Sequence, residues 1–370
     1  MNITIDRDTL LKPLQAVIGV VERRQTLPIL ANVLISTHGN TLSITGTDLE
    51  VELQARMPLA EPVEASEITV PGRKLADICR SLPENASLQL VYEKDRIQLR
   101  SGRSRFTLTT LPASDFPRVQ EDETSVEFSL AQEQLRHLIE RTHFAMAQQD
   151  VRYYLNGMLL ELNSGSIRAV ATDGHRLALN SIDSALEHNG FLQVILPRKG
   201  VLELMRLLQD DNSLVTVCVG NSYIRIIGTD FTFTSKLVDG RFPDYERVLP
   251  KNGNKTIVLE RDLLKQALSR AAILSNEKFR GVRLQLKHGL MRVLANNPEQ
   301  EEAEEEISLD YQQNDLEIGF NVSYLLDILN TIDSEKVRMI FSDPNSSVLV
   351  EEHEPKHQRN GVFVVMPMRL

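Results

Sequence analysis

Apolar residues recur along this chain with two spacings, one typical of helices and the other of strands. Leu135, Leu138 and Ile139 keep the three-and-four spacing that gives a helix one apolar face. Residues 282–287 instead alternate strictly between apolar and polar, which is typical of a strand with one face in the core and one in water. The pattern predicts amphipathic helices combined with antiparallel sheets.

Three landmarks of this pattern return at nearly one interval. The ends of three strand-like runs are 125 and 124 residues apart, at Thr47, Thr172 and Asn296. The residues that open three helix-like runs are 126 and 124 apart, at Pro71, Pro197 and Asn321. A Phe-Pro pair at 116–117 returns 126 residues later, at 242–243. This interval is too long for a solenoid unit of roughly 20–50 residues and has the size of a small domain.

We therefore predict three tandem copies of one domain, at residues 1–125, 126–253 and 254–370. Each copy has an early helical pattern, at residues 8–21, 131–146 or 261–274. A second helical pattern follows Pro71, Pro197 or Asn321. The fold class is accordingly α+β, with two helices packed on one side of antiparallel strands in every copy.

The composition is that of a folded globular protein, with 42% hydrophobic and 25% charged residues. Cys79 and Cys218 lie far apart in apolar surroundings, which predicts two buried, reduced thiols rather than a disulfide. The first residues lack the basic and apolar regions of a secretory signal, and no apolar run approaches the length of a membrane span. We expect a cytoplasmic protein.

The stretch VATDGHRLAL, residues 170–179, holds residue types that often build active sites. Because a strand ends at this place in every copy and Asp-Gly favours turns, we interpret it first as a structural turn. The sequence contains no H-E-x-x-H, paired C-x-x-C, P-loop or G-x-G-x-x-G motif. We expect no enzymatic activity, metal or cofactor. An enzyme that uses His175 is the alternative, because residues distant in sequence can form a site together.

The charge is distributed unevenly between helices and the rest of the chain. The net charge is −10, but the six helical regions sum to +6 and the remainder to −16. If the helices share one surface, that surface attracts phosphates, as in a protein that binds the DNA backbone without sequence specificity. A sequence-specific DNA regulator is a second alternative, and it would need base-reading side chains on a recognition helix.

Two segments of opposite charge suggest self-association. PEQEEAEEE, residues 298–306, carries six glutamates, and RSGRSRF, residues 100–106, carries three arginines. Each segment repels a copy of itself and attracts the other, which favours a head-to-tail contact between chains. Head-to-tail contacts close into rings or continue as filaments.

Motifs along the whole length resemble those of the bacterial DNA polymerase III β subunit family, the sliding clamps. They include LPILANVLI, TGTDLE, SGRSRFTLTTLPASDFP, QDVRYYLNGM, ATDGHRLA, SKLVDGRFPDYERVLPKN, AAILSNEKFRGVRL, ANNPEQEEAEE, IGFNVSYLLDIL and VVMPMRL. The resemblance implies a head-to-tail homodimer closed into a ring around duplex DNA, with helices inside and sheets outside. It implies a processivity factor of the DNA polymerase III holoenzyme, associated with the nucleoid, that a clamp loader places on DNA. Its clients would be the replicative polymerase α subunit, translesion polymerases and repair proteins, with no membrane partner.

The resemblance assigns four residues to the DNA-facing side: Arg24, Gln149, Tyr153 and Tyr154. Charge placement on the helices adds Arg73, Arg80, Arg198, Lys199 and Arg206. A ring holds DNA by topology, so weak phosphate contacts through water suffice and permit sliding.

The resemblance also implies a cleft that receives client peptides with glutamine and bulky apolar residues, which methionines accommodate well. One wall would comprise Leu155, Thr172, Gly174, His175, Arg176 and Leu177. The other would comprise Pro243, Arg247, Val248, Asn321, Tyr324, Ser347, Val364, Met366, Pro367, Met368 and Arg369. The chain departs from the family at the segment Pro355–Asn360, which is longer, and at Asn345, where an apolar cleft residue is usual.

At the dimer seam, the resemblance implies that Ile273 and Leu274 pack against Phe106 and Leu108 of the other copy. We predict that charged residues around this apolar contact set its orientation: Lys74, Arg103, Arg105, Glu299, Glu301, Glu302 and Glu304.

Overall fold

The computed structural model describes residues 1–21, 27–119, 123–184, 191–251, 253–354 and 360–369. Within them the order of elements repeats three times. The first repeat comprises β1 (Asn2–Asp6), α1 (Arg7–Val20), β2 (Asn32–Thr47), β3 (Val51–Pro71), α2 (Gly72–Ser81), β4 (Ser87–Glu93), β5 (Arg96–Ser101) and β6 (Ser104–Thr109).

The second repeat comprises β7 (Thr124–Ala131), α3 (Gln132–Glu140), β8 (Gly157–Asn163), β9 (Ser166–Thr172), β10 (Arg176–Asp183), β11 (Leu192–Pro197), α4 (Arg198–Leu207), β12 (Leu214–Gly220), β13 (Tyr223–Ile227) and β14 (Phe231–Lys236). The third comprises β15 (Lys255–Glu260), α5 (Arg261–Ala271), β16 (Gly281–Lys287), β17 (Leu290–Asn296), β18 (Glu302–Ser308), β19 (Leu316–Asn321), α6 (Val322–Thr331), β20 (Lys336–Phe341), β21 (Val348–His353) and β22 (Asn360–Val365).

These elements confirm the α+β class and the repeat. The second helices α2, α4 and α6 begin at residues 72, 198 and 322, each directly after a landmark identified in the sequence. Two of the predicted first helices are shorter than expected. The helix at 131–146 ends at Glu140, where the Thr142 hydroxyl donates to the Leu138 carbonyl (2.7 Å), and a 3₁₀ turn follows at His143–Ala145. The helix at 261–274 likewise becomes a 3₁₀ turn at Ala272–Leu274.

The chain divides into two compact units, Met1–Leu135 with Lys199–Leu237, and Arg136–Arg198 with Val238–Leu370. The first unit holds a four-stranded sheet, β1-β4-β5-β6, and a six-stranded sheet, β2-β3-β14-β13-β12-β7. The second holds an eight-stranded sheet, β11-β8-β9-β10-β22-β21-β20-β15, and a four-stranded sheet, β18-β17-β16-β19. Helix α1 packs on α2, β2 and β3, and α5 packs on α6, β17 and β18.

Each repeat contributes the same two pieces of sheet. One piece joins the first strand to the three strands after the second helix, as in β1-β4-β5-β6, β7-β12-β13-β14 and β15-β20-β21-β22. The other piece consists of the strands between the two helices. In the first repeat this piece is formed by the two long strands β2 and β3, which shift register between Thr37 and Thr41, whereas the other repeats have four shorter strands there. Consecutive repeats join where β3 pairs with β14 and where β10 pairs with β22. The sheets are therefore continuous across both joints.

One cysteine differs from expectation. Cys79 is buried, and burial raises the pKa of its thiol to about 11. Cys218 was predicted to be buried, but it is half-buried because it lies on the outward face of β12, with its Sγ 3.7 Å from the Glu127 carboxylate. Both cysteines are free thiols. In the ranges that the structure describes, no helix is long and apolar enough to cross a membrane.

Candidate functional site

The TDGHR stretch forms the turn between β9 and β10. The Asp173 carboxylate accepts hydrogen bonds from the main-chain N–H of His175 (2.9 Å) and Arg176 (3.0 Å). The Thr172 hydroxyl donates to the Arg176 carbonyl (2.6 Å) and accepts from the Gly174 N–H (3.1 Å). Gly174 has φ +87°, a left-handed conformation that favours glycine. The acid and the hydroxyl are thus used to shape the turn, as the sequence pattern indicates.

Arg176 ties this turn to two other elements of the same unit. Its guanidinium lies 4.5 Å from the ring centre of Tyr324 on α6 and 5.4 Å from that of Phe144. It also donates to the Phe144 carbonyl (2.7 Å) and pairs with Asp173 and Asp327. The exposed His175 ring stacks over Tyr324 at 6.5 Å. Arg176 therefore links one predicted wall of the cleft, on β10, to the other predicted wall, at Tyr324 on α6.

An apolar cluster lies at the joint of β10 and β22 and includes residues of both predicted walls. Leu177 on β10 is directly opposite Val364 on β22, and both are at least 97% buried. The buried members of the cluster are Ala147, Leu155, Leu159, Val170, Leu177, Leu179, Ile195, Phe242, Tyr245 and Val364. Partly buried Tyr154, Val238, Leu249, Leu349 and Val362 pack against them. This partly accessible apolar surface can receive apolar side chains of a ligand.

The 3₁₀ turn Tyr245–Arg247 belongs to the second predicted wall, as does Tyr324. The buried Tyr245 hydroxyl accepts from Arg168 Nη1 (2.6 Å) and donates to Glu161 Oε2 (3.1 Å), and burial raises its pKa. This anchor leaves Val248 44% exposed and Arg247 open to solvent, where it pairs with Asp244 (2.7 Å). Tyr245 therefore anchors the turn, which presents the apolar side chain of Val248 and the cationic side chain of Arg247 to solvent.

The C-terminal segment completes the site. The Met366 N–H donates to the His175 carbonyl (2.9 Å), and the Met368 N–H donates to the Gly319 carbonyl (2.8 Å). Met366 remains 42% exposed. Asn321 caps α6 by accepting from the Ser323 N–H (2.9 Å). Hydrogen bonds thus fix the main chain at Met366 and Met368, and the flexible side chains of these residues offer an adaptable apolar surface.

All seventeen residues predicted for the cleft lie in the second unit. The sequence reasoning missed Phe144, Tyr245, Asp327 and Leu349, which contact or support it. Asn345 is exposed in the turn between β20 and β21, where its N–H donates to the Asp343 carboxylate (2.8 Å). Most of the segment Pro355–Asn360 falls outside the described residues.

The residues predicted to face DNA are mostly held by partners in their own unit. Arg73 donates to the Val21 carbonyl (2.7 Å), and Lys199 pairs with Asp48. Arg80 pairs with Asp77 (2.9 Å) and Arg206 with Glu203 (2.8 Å), yet both arginines remain more than half exposed.

In the second unit, Arg198 donates to the Met146 carbonyl (3.2 Å), and burial lowers its pKa. Tyr153 is 57% exposed, whereas Tyr154 packs against the apolar cluster. Gln149 has φ +55° in the preceding loop. Arg24 lies outside the described residues.

The residues predicted for the dimer seam lie on or just before the outer strands β6 and β18, in the 3₁₀ turn Ala272–Leu274 and, for Lys74, on α2. Arg103, Arg105 and Lys74 are exposed in the first unit, and Phe106 and Leu108 are half-buried on β6. In the second unit Ile273 is 75% exposed and Leu274 half-buried. Glu299, Glu301, Glu302 and Glu304 are exposed on or before β18.

Three tandem α+β repeats joined through continuous sheets, with a partly accessible apolar cluster at the joint of β10 and β22, define the class of DNA clamps. Three family models match in succession: the N-terminal domain of the DNA polymerase III beta subunit over residues 1–120, the central domain over 129–244 and the C-terminal domain over 246–369. The chain belongs to the DNA polymerase III beta subunit family.

Similar proteins agree over the full length. The chain is 60% identical over 370 residues to the beta sliding clamp of Pseudomonas putida and 54% identical over 373 residues to that of Escherichia coli K12, with all of each chain covered. Among solved structures, a Pseudomonas aeruginosa sliding clamp bound to griselimycin has a TM-score of 0.97 at 59% identity. Caulobacter crescentus pol III beta has a TM-score of 0.92 at 38% identity, and both matches cover the whole of each chain.

Proposed function

We propose that two copies of this bacterial sliding clamp close head to tail into a ring that encircles duplex DNA without reading its sequence. The protein is a processivity factor of DNA replication, and the ring tethers the replicative polymerase to its template. It is not an enzyme, uses no cofactor and acts in the cytoplasm at the nucleoid. Its domains extend over residues 1–125, 126–253 and 254–370.

The observation that supports the ring is that two outer strands correspond to the strands that join the repeats within the chain. Within the chain, β3 pairs with β14 and β10 pairs with β22. An outer strand of the piece between the two helices thus pairs with the last strand of the other piece in the next repeat. The corresponding strands at the two ends are β18 and β6, which are outer strands of their sheets. An unpaired outer strand is a template for pairing with another chain. Pairing β18 of one copy with β6 of another repeats the internal joint and can close the ring.

The internal joints also give the register of this contact. In them Thr232 lies opposite Gln54, and Val362 lies opposite Leu179. The three repeats can be aligned by their strand pairings. In this alignment Arg105 is equivalent to Thr232 and Val362. Glu304 is equivalent to Gln54 and Leu179. Arg105 would then face Glu304, and Arg103 would face Glu306. This register places opposite charges directly across the seam.

The same equivalence supports the apolar contact. At the internal joint the Phe144 ring packs 6.0 Å from that of Phe363 on β22. Ile273 holds the place of Phe144 in its 3₁₀ turn, and Phe106 follows Arg105 as Phe363 follows Val362. Ile273 is 75% exposed in the single chain, so it would bury most of its surface at the seam.

We propose that the contacts between the lining of the ring and DNA are weak. Arg80, Arg206 and Arg73 each already have a partner in the chain, so they offer phosphates a shared rather than a free charge. Arg24, Gln149, Tyr153, Tyr154, Arg198 and Lys199 complete the proposed lining. Such contacts favour sliding because no single phosphate is held tightly.

The cleft would receive peptides from several clients. The polymerase α subunit, the clamp loader, translesion polymerases and repair proteins would each insert bulky apolar side chains over Leu177 and Val364 and between Met366 and Val248. Met366 and Val248 are exposed apolar residues in the single chain, 42% and 44% respectively, and a client would cover them.

A charge exchange tests the ring. Arg103→Glu with Arg105→Glu puts like charges opposite Glu304 and Glu306, so the dimer dissociation constant should rise by at least about tenfold. Adding Glu304→Arg and Glu306→Arg to the same chain restores opposite charges and should recover the dimer. Sedimentation velocity across a dilution series measures both. A fourfold variant as monomeric as the double variant would contradict the proposed register.

A further inference from the structure

The joint between β3 and β14 has a groove at the place equivalent to the client cleft. Glu52 is opposite Thr234 at this joint, as Leu177 is opposite Val364 at the other. The groove has a volume of about 340 Å³, and Glu52, Thr234 and Phe116 are among the residues that line it. Phe116 holds the place of Phe242 in the cleft cluster, 126 residues earlier. The two joints therefore share one arrangement of strands, and each unit contains one of them.

The lining of the two grooves differs in polarity. Positions that are apolar in the cleft carry charged or hydrogen-bonding side chains in this groove, which we call the first-joint groove. The equivalent pairs are Leu177 and Glu52, Leu179 and Gln54, Leu349 and Arg225, Val362 and Thr232, and Val364 and Thr234.

These polar groups would oppose an apolar ligand. The Glu52 carboxylate is half-buried, burial raises its pKa, and the Val119 N–H donates to it over 3.4 Å. Arg118 and Glu67 also line the groove, and Arg118 Nη2 donates to both carboxylate oxygens of Glu67, at 2.8 and 2.6 Å. An apolar side chain seated here would remove water from these groups without replacing its hydrogen bonds, which disfavours binding.

We propose that the first-joint groove is a copy of the client cleft from which its polar lining excludes client peptides. Each chain therefore binds one client peptide and not two. The inference rests on the proposed function of the cleft. It assigns Glu52, Gln54, Arg225 and Thr234 to the specificity of the clamp, because they confine clients to a single groove.

Exchanging the lining tests this. The variant Glu52→Leu, Gln54→Leu, Arg225→Leu and Thr234→Val gives the first-joint groove the side chains of the cleft. The probe is a short synthetic peptide with glutamine, leucine and phenylalanine, titrated calorimetrically. We expect one peptide per chain for the unmodified protein and two for the variant. Conservative exchanges at the same groove, Arg225→Lys with Thr234→Ser, should leave the stoichiometry at one.

A blocked cleft separates this inference from the proposed function. Met366→Glu with Val248→Glu should bind no peptide, and adding the four groove substitutions should restore one site per chain. If the fourfold variant does not fold, Glu52→Leu with Thr234→Val, which are cross-strand partners, should restore that site in the blocked background. Two peptides on the unmodified chain, or no gained site on a folded variant, overturns the inference. An unmodified chain that binds no peptide instead refutes the proposed cleft.

Discussion

Ile273→Ala with Leu274→Ala is expected to turn the dimer into monomers. Ile273 is 75% exposed in the single chain, and its internal equivalent Phe144 packs on Phe363. Truncating a buried Ile or Leu to Ala removes about 2–5 kcal/mol of stabilisation. Each ring has two seams, and each seam loses two such side chains. Sedimentation equilibrium should show a dissociation constant raised by at least about a hundredfold, which corresponds to roughly 3 kcal/mol.

A neighbouring residue provides the control for this experiment. Leu263 on α5 is 45% exposed but lies outside the proposed seam, so Leu263→Ala should leave the dimer unchanged. Far-ultraviolet circular dichroism spectra of the monomeric variant should match those of the Leu263 variant, because the truncated side chains are not part of the core of one chain. A double variant that remains dimeric at nanomolar concentration would show that the apolar contact does not hold the seam.

Met366→Glu with Val248→Glu is expected to abolish client binding without affecting the fold. Both side chains are exposed, so the single chain accepts the charges in water. A bound client would bury each carboxylate against apolar groups, at a cost of about 1–3 kcal/mol or more for each. Fluorescence anisotropy of a labelled peptide should show at least about a hundredfold loss of affinity, which corresponds to roughly 3 kcal/mol.

The matched control places the same change on another exposed apolar residue. Leu214 begins β12 in the first unit and is 65% exposed, so Leu214→Glu should leave peptide affinity unchanged. The blocked variant should still form dimers, because its substitutions are on neither β6 nor β18. Equal peptide affinity in all three proteins would place the client site elsewhere.

The repeat could be predicted from the sequence because its landmarks are local. Pro71, Pro197 and Asn321 directly precede helices, and a strand end or a helix start is specified by the few residues around it. The end of α3 at Glu140 was missed because it depends on the Thr142 hydroxyl, which competes with continued helix formation.

The supports of the cleft could not be predicted in this way. Arg168 reaches Tyr245 across 77 residues, and Arg176 reaches Asp327 across 151. No periodicity places such partners together, because strand register and sheet order decide which side chains meet. The cleft residues themselves came from the family resemblance. The structure adds why they are held in place, through Tyr245 and Arg176.

The measurement that tests the central claim most directly is retention on DNA. The protein is loaded by a clamp loader onto nicked circular plasmid, the salt concentration is raised, and half of the sample is linearised. A closed ring should stay on the circle at high salt and run off the linear molecule, because topology rather than charge holds it. Equal loss from both forms with salt would identify ordinary electrostatic binding, and would contradict the ring.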